Sequence, residues 1–275
     1  DNQFPLWHQH AFLWEGGVLI DLGTLGGERS SARGINNRGQ VVGSSSTTSG
    51  SSHAFLWEDG IMTDLGTLGG DVSVAYAINE RGQVAGSSTT ASGLRHAFLW
   101  EDGVMTDLGT LGGERSWAEG INELGQVVGT SDVAAGPSHA FLWEDGVMTD
   151  LGTLAGGYTT AEAINDRGQV AGYGHLPSER HHPYLLEEGV MGDLGTLGGN
   201  YGYAWGINNR GQVVGRCHDA DGKTHAFVWE RGVMTPVGPL GCYTEVRGIN
   251  ERGQVVGRSR CGENPVYATL WTPKH

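Results

Sequence analysis

This chain contains a repeated sequence, and one position of the repeat is occupied each time by a residue that can bind ions, stack on rings or transfer protons. Spaced by 43 or 42 residues, the six occupants are Arg33, Tyr76, Glu119, Glu162, Trp205 and Arg247. Two carboxylates that lie close together push the pKa of one upward, which would make Glu119 and Glu162 an acid and base pair. Arg33 and Arg247 are suited to holding an anionic or enolate-like oxygen, and Tyr76 to donating a proton. The pattern predicts acid–base catalysis by these five residues.

A second variable position lies two residues earlier, on the same side of a predicted strand. Its occupants are Ser31, Val74, Trp117, Thr160, Tyr203 and Glu245. The larger of these side chains predict a pocket with aromatic walls and few polar groups, which suits one organic ligand. With Trp205 and nearby loops included, the predicted ligand-binding residues are Trp117, Trp205, Tyr203, Glu245, His181, His218 and Tyr243. The alternative is that the charges of the first set neutralise one another and plug a channel.

A period of 43 residues organises the chain. The tract His-Ala-Phe-Leu-Trp begins at His10, His53, His96 and His139, returns in altered form at His182 and His225, and has a partial copy at Tyr267–Trp271. Several short strands in each unit of this length are typical of a β-propeller blade. We therefore predict an all-β protein with one domain over residues 1–275, a six-bladed β-propeller. Even closure would place the first set in opposing pairs across the central mouth: Arg33 with Glu162, Tyr76 with Trp205, and Arg247 with Glu119.

Each repeat is predicted to contain four antiparallel strands, A to D. In the repeat from Ser73 they cover residues 74–78, 83–87, 96–100 and 104–108, with a Gly-Thr-Leu-Gly-Gly connection to the next repeat. Strand A is expected to be innermost, because it carries a repeated Gly or Ala. The hairpin 10–22 is expected to complete the blade that contains residues 246–259. The copy at Tyr267–Trp271 would then compete for that edge, add a fifth strand or reach another molecule, so a monomer or a dimer through this blade is expected.

Several repeated residues look chemical but are expected to be structural. The histidine that opens strand C would pair with the Asp of strand D, and the Trp that ends strand C would pack between blades. His175, His181 and His218 with Asp219 could collect a metal ion, but loop histidines are usually solvated, and neither metal nor cofactor is expected. The cysteines are Cys217, Cys242 and Cys261. One bridge such as Cys242 to Cys261, or a reactive thiol, are the alternatives.

Charge composition narrows the partners. The chain has 31 acidic and 17 basic residues, a net charge of -14. This excess argues against nucleic acid or an anionic membrane as the main partner and favours a neutral or cationic ligand. No apolar run approaches the ~18 residues of a membrane span, and Asp1 opens no signal-like stretch, so a leader was either removed or never present.

The repeated units resemble a known family. The patterns His-Ala-Phe-x-Trp, Gly-Val-Met-x-Asp-Leu-Gly-x-Leu-Gly-Gly and Gly-Ile-Asn-x-x-Gly-Gln-Val-Val-Gly are similar to those of the HAF-repeat family, bacterial proteins described as probable extracellular repeats. Departures occur at Pro183, Tyr184, Leu186, Pro236 and Pro239. The resemblance implies an extracellular location; a cytoplasmic one is expected if it does not hold. It implies no activity.

Three functions remain open. The first is a cofactor-independent, non-redox enzyme of the isomerase, cyclase or lyase type that acts on one small organic molecule in the central mouth. The second is a secreted, lectin-like module that binds carbohydrate or another ligand without catalysis. The third is a scaffold without a pocket, if the central charges are sealed.

Overall fold

The computed structural model describes residues 9–177, 180–238, 243–262 and 265–272. The chain divides into two compact units, one formed by Asp1–Val127 with Trp143–Met148 and the other by Val128–Leu142 with Thr149–His275. In the described part of the chain, all regular structure is β, and no helix has the length and apolar character needed to span a membrane.

The strands of the first unit follow the predicted period. They are β1 (Phe12–Glu15), β2 (Val18–Asp21), β3 (Gly26–Ile35), β4 (Val41–Thr47), β5 (Ser52–Glu58), β6 (Ile61–Asp64), β7 (Gly69–Ile78), β8 (Val84–Thr90), β9 (Arg95–Glu101), β10 (Val104–Asp107) and β11 (Gly112–Ile121). The boundary between the units falls in or beside β12 (Val127–Val133), β13 (His139–Glu144) and β14 (Val147–Gly152).

The strands of the second unit repeat the same order. They are β15 (Thr159–Ile164), β16 (Val170–His175), β17 (His181–Glu187), β18 (Val190–Asp193), β19 (Gly198–Ile207), β20 (Val213–Asp219), β21 (Thr224–Glu230), β22 (Val233–Val237), β23 (Tyr243–Ile249), β24 (Val255–Arg260) and β25 (Tyr267–Trp271). Consecutive strands pair antiparallel within β3–β6, β7–β10, β15–β18 and β19–β22. The prediction of four antiparallel strands per repeat is confirmed for these repeats.

Strand A is longer than predicted in most repeats. In β7 it begins at Gly69 rather than Val74, because Gly69 pairs with Thr90 at the far end of strand B. The second half of the Gly-Thr-Leu-Gly-Gly connection therefore belongs to strand A.

A β-bulge interrupts every strand A whose register is described. In β7 the pairing passes from Ala75 opposite Gly86 to Ala77 opposite Ala85, so that Tyr76 is the extra residue. The corresponding extra residues in β3, β15, β19 and β23 are Arg33, Glu162, Trp205 and Arg247. A bulge bends the strand and redirects the side chain that it carries. The variable position of the sequence is thus the bulge position of the fold.

A glycine in strand B faces each of these bulges. A Cβ atom on Gly215 would collide with the backbone oxygen of Tyr203, and one on Gly86 would collide with that of Val74. The equivalent glycines are Gly43, Gly172 and Gly257. Strand A can approach strand B this closely only because strand B lacks a side chain there.

Apolar cores lie between neighbouring repeats. In the first unit, Val42 and Ala54 pack with Val84 and Phe98 of the next repeat. In the second unit, Ala171 and Leu185 form a similar core with Phe227. Tryptophans of strand C join these cores, as predicted, at Trp57, Trp100, Trp229 and Trp271. The prediction was wrong for Trp14, which is 67% exposed on a hairpin that forms a separate two-stranded sheet in the described part of the chain.

A ladder of asparagine side chains connects the turns between strands A and B. Asn36 Nδ2 donates to the backbone oxygen of Asn79, and Asn79 Nδ2 donates to that of Asn122. In the second unit, Asn165 and Asn208 make the same bonds to Asn208 and Asn250. The repeated Asn-x-x-Gly-Gln motif is therefore explained by structure alone.

Histidine–aspartate pairs join strand C to strand D, as predicted. His53 Nδ1 lies 2.8 Å from Asp64 Oδ2, and the same pair recurs at His10, His96, His139 and His182. The pair changes at His225, where Pro236 stands opposite the neighbouring Phe227 and Asp219 Oδ2 lies 2.7 Å from the His225 Nε2.

The two ends of the described chain correct one prediction. The hairpin β1–β2 was expected to complete the sheet of β23 and β24, but β25 occupies the place beside β24, and β1 pairs with β2 in a separate two-stranded sheet. Ala11, Leu22 and Trp57 share a core, so the hairpin packs on the first unit. A connection of few residues makes β25 the less costly partner for β24, because a short loop loses less entropy on closure.

The bulge and its facing glycine predict the effect of adding one methyl group. Gly215→Ala should destabilise the protein by roughly 2 kcal/mol, because the new Cβ atom must push β19 away. Gly192→Ala is the matched control, since its nearest neighbour would be the Leu185 oxygen at 3.7 Å, an ordinary contact. Urea unfolding of both variants measures the difference. Equal stability of the two variants would contradict the proposed steric role of Gly215.

Candidate ligand site

The first unit contains part of the predicted catalytic set. The Arg33 guanidinium lies 5.2 Å from the centre of the Tyr76 ring, so these two bulge residues form a cation–π pair. Arg33 is exposed and Tyr76 is partly buried. Glu119 and Trp117 lie in β11 and are also partly buried.

The second unit gathers most of the predicted ligand-binding residues around an aromatic stack. Tyr203 and Trp205 lie on the same side of β19, with ring centres 6.2 Å apart and planes 14° from parallel. Arg216 lies opposite Tyr203 in the neighbouring strand β20. Its guanidinium is 5.1 Å from the Tyr203 ring and 5.2 Å from the Trp205 ring. Arg247 approaches Trp205 at 5.7 Å.

Glu245 is bound by two arginines. It is only 4% exposed, with Arg247 Nη2 2.8 Å from Oε1 and Arg258 Nε 2.6 Å from Oε2. The Tyr243 hydroxyl lies 3.5 Å from Oε2. The carboxylate predicted to line an open rim is therefore engaged in a buried ion pair, which holds Arg247 and Arg258 in place.

The Glu162 carboxyl is partly buried on β15. It accepts a hydrogen bond from the Thr160 hydroxyl at 2.6 Å. Burial raises the pKa of Glu162 despite this hydrogen bond. Repulsion by a second carboxylate was expected to raise the pKa of Glu162, whereas burial is the cause in the structure. Burial and the nearby Glu162 charge also raise the pKa of Tyr173.

Histidines and tyrosines of adjoining repeats meet beside this stack. Tyr173 lies 4.8 Å from Tyr203, and His181 lies 4.0 Å from His175 and 5.3 Å from Tyr203, measured between ring centres. Burial, and then the proximity of His175, lower the pKa of His181. The Nδ1 atom of His181 is buried and has no hydrogen-bond partner in the described structure.

An open cleft of about 270 Å³ adjoins these rings in the second unit. It is lined by Tyr201, Tyr203, Arg216, Cys217, His218 and Thr224. Tyr201 is 38% exposed, and its ring lies 5.7 Å from that of His218. We call these six residues the cleft. They supply aromatic faces together with a guanidinium, an imidazole and a hydroxyl.

The cysteines divide into two states. Cys217 is a free, buried thiol, and burial raises its pKa to about 11, so it is protonated at neutral pH and a poor nucleophile. Cys261 is disulfide-bonded. Cys242, the partner that the sequence suggested, lies outside the described residues.

The histidines do not form a metal-binding group with Asp219. That aspartate is hydrogen-bonded to His225 and to the backbone N–H of Lys223, and both bonds lower its pKa. Within the ranges that the structure describes, no three His, Cys, Asp or Glu side chains gather as a metal site requires.

Three residues of this region were not among the predicted site residues. Tyr173, Arg216 and Arg258 occupy the fourth position of strand B in the last three repeats. The same position holds Ser44, Ser87 and Thr130 in the first three. A comparison of this position along the chain would have revealed the change from small hydroxyls to large aromatic and cationic side chains.

Solved β-propeller structures resemble this chain at low sequence identity. The β-propeller domain of the Trilobed protease from Pyrococcus furiosus has a TM-score of 0.65, with 12% identity over 94% of this chain and 84% of that one. TolB from Acinetobacter baumannii has a TM-score of 0.55, with 11% identity over 81% of this chain and 57% of that one. The BP39L lectin from Burkholderia pseudomallei has a TM-score of 0.50, with 8% identity over 96% of this chain and 94% of that one. No protein-family model and no curated protein matches the sequence. The likeness shows a β-propeller fold.

The raised pKa of Glu162 predicts how a neutral isostere changes stability. A carboxyl with a higher pKa in the folded than in the unfolded chain binds more protons when folded, so its contribution falls as pH rises through those values. Glu162→Gln should therefore raise the melting temperature at pH 7, and the gain should disappear at acidic pH, where Glu162 is protonated in both states.

Thermal unfolding of Glu162→Gln at pH 7 and pH 3 measures this effect, with the exposed Glu114→Gln as control. A loss of stability at pH 7 would instead show that ionised Glu162 is held by a cation, as the charge-plug hypothesis requires.

Proposed function

We propose that this protein is a lectin-like β-propeller that binds one small saccharide in the cleft of the second unit. The observation that carries the proposal is the row of Tyr201, Tyr203 and Trp205 at alternate positions of β19, beside an open cleft. Tyr203 stacks with Trp205 at 6.2 Å, and the His181 ring lies 5.9 Å from Tyr201 and 5.3 Å from Tyr203, so these rings form one aromatic surface.

Such a surface suits a sugar ring. One side of a pyranose presents C–H groups, which pack against aromatic faces, whereas its edge presents hydroxyls that need hydrogen-bond partners. Arg216, His218 and Thr224 supply such partners around the tyrosines. The combination of a few polar groups with an apolar wall is typical of sites that orient one small ligand.

A single site is proposed rather than one in every repeat. The positions equivalent to Tyr203 and Arg216 in the first two repeats hold small or aliphatic residues, Ser31 with Ser44 and Val74 with Ser87. These pairs offer no aromatic surface. The fold likeness to the BP39L lectin is consistent with this proposal but shows only the fold. An extracellular location and membership of the HAF-repeat family belong to the same proposal.

Removal of one ring should weaken binding while leaving the fold intact. Tyr201→Ala and Tyr203→Ala should each raise the dissociation constant at least about fivefold, because stacking on one aromatic face contributes about 1 kcal/mol or more. Tyr267→Ala is the matched control, since this tyrosine is 59% exposed on β25 and outside the cleft.

A glycan array identifies a binding saccharide, and isothermal titration calorimetry gives affinity and stoichiometry. One site per chain, lost in the Tyr201 variant but kept in the Tyr267 variant, is expected. Several equivalent sites per chain, or unchanged binding by the Tyr201 and Tyr203 variants, would contradict the assignment of the cleft.

A second candidate function is acid–base catalysis, which the raised pKa of Glu162 favours. In this proposal the six repeats close into the six-bladed ring predicted from the sequence. Glu162 and Glu119 then transfer protons, Arg33 and Arg247 hold an anionic oxygen, and Tyr76 donates a proton in an isomerase, cyclase or lyase reaction. A carboxyl whose pKa is raised above its ordinary value is better suited to act as a general acid.

Turnover of a saccharide that binds tests the catalytic proposal. Wild-type protein should convert that saccharide, as followed by NMR, and Glu162→Gln and Glu119→Gln should each abolish conversion without loss of the melting transition. Absence of any product from the wild type, or undiminished conversion by both variants, would leave binding as the function.

A further inference from the structure

We propose that the saccharide bound by the cleft is acidic, and that its carboxylate pairs with Arg216. This inference rests on the proposed function and specifies its ligand class. The Arg216 guanidinium contacts two aromatic rings of β19.

Arg216 is held by rings rather than by a carboxylate. Its guanidinium lies about equally far from Tyr203 and Trp205, at 5.1 and 5.2 Å. Arg247 and Arg258, in contrast, both pair with Glu245. In the described parts of the chain, no acidic side chain lies within ion-pair distance of Arg216, and its five N–H donors have no protein acceptor.

A guanidinium held in this way is prepared for an anion. Contact with two rings restricts the position of the guanidinium, so that part of the loss of side-chain freedom is incurred before the ligand arrives. The edge of the plane presents two parallel N–H groups, which match the two oxygens of a carboxylate. The six residues that line the cleft include no Asp or Glu, so an approaching anion meets no opposing carboxylate there.

The remaining residues of the cleft explain why the anion should be part of a sugar. A free carboxylate would leave the exposed ring of Tyr201 uncovered, as well as the hydroxyl of Thr224 and the ring of His218. A uronic acid places a carboxylate on a pyranose ring, so that one molecule satisfies Arg216, the tyrosines and the polar groups together. A cleft of about 270 Å³ accommodates one or two such rings.

The overall charge of the chain does not oppose this pairing. The net charge is -14, but charges beyond about 8 Å are largely screened at physiological ionic strength. Long-range repulsion would slow association, whereas the contact with Arg216 acts at hydrogen-bond distance. The structure thus changes the expectation from composition, which favoured a neutral or cationic ligand.

The test uses matched pairs of ligands. Oligosaccharides of galacturonic, glucuronic and mannuronic acid are each titrated into the full chain, alongside the same oligosaccharides with methyl-esterified carboxylates. For at least one pair, the acidic form should bind about tenfold or more tightly than its ester. Arg216→Ala should remove most of the advantage of the acid over the ester, and should weaken binding of the ester by a smaller factor than binding of the acid.

Two further variants separate the pairing from general charge. Arg216→Lys keeps the charge without the planar pair of donors, and should recover only part of the affinity. Arg252→Ala, in the exposed turn between β23 and β24, removes one positive charge of the same unit and should leave both ligands unaffected. Melting temperatures of all variants confirm that the fold is retained.

The outcomes distinguish this inference from the proposed function. Equal binding of acid and ester, or equal losses in the Arg216 and Arg252 alanine variants, would overturn the acidic ligand while leaving a saccharide site in place. Binding of sulfated but not carboxylated sugars would overturn the carboxylate. Failure of every saccharide, neutral or acidic, to bind would overturn the proposed function itself.

Discussion

The close approach of strand A to strand B, allowed by a glycine opposite a bulge, is the constraint on which the arrangement of this protein depends. Where Gly215 faces the Tyr203 oxygen, no side chain of strand B separates the two backbones. The strand then accommodates one extra residue, whose side chain is released from the regular alternation. The same constraint recurs in β3, β7, β15 and β23, and it frees one position in each of these repeats from any role in the ladder. Variation at that position leaves the sheet unchanged, which is why Arg33, Glu162 and Trp205 can occupy equivalent places.

Elsewhere the repeat is maintained by buried polar contacts. Ser73 illustrates this, since its hydroxyl donates to the Gly66 oxygen and accepts from the Ala54 N–H. Removal of one such buried partner leaves the other unsatisfied, at a cost of about 1 to 3 kcal/mol. The architecture and the candidate site therefore use different residues. Diversity is concentrated at the bulges, at the strand A position two residues earlier, at the fourth position of strand B and in the loops, and in the second unit these positions contribute to one region.

Most of the fold could be predicted from the sequence, because it is encoded locally and repeatedly. The 43-residue period, the four strands and the pairing of His53 with Asp64 follow from alternation and turn residues. The place of β25 could not be predicted, since strands β1 and β25 carry similar motifs and only chain connectivity separates them. The site was predicted in part. Tyr203, Trp205 and His181 were found from their departure from the repeat, but the states of Glu245 and Arg216 depend on which cross-strand neighbours meet, and a single strand does not reveal this.

The asparagine ladder has a consequence for the origin of the chain. Each complete repeat supplies one Nδ2 donor to the next repeat and one backbone acceptor to the preceding one, as between Asn165 and Asn208. Gene duplication of a whole repeat would therefore add a donor and an acceptor together, and neither group would be left without a hydrogen-bond partner. The addition of a repeat therefore costs this chain little stability at the asparagine ladder. The copies can later diverge at other positions while the asparagine hydrogen bonds are kept.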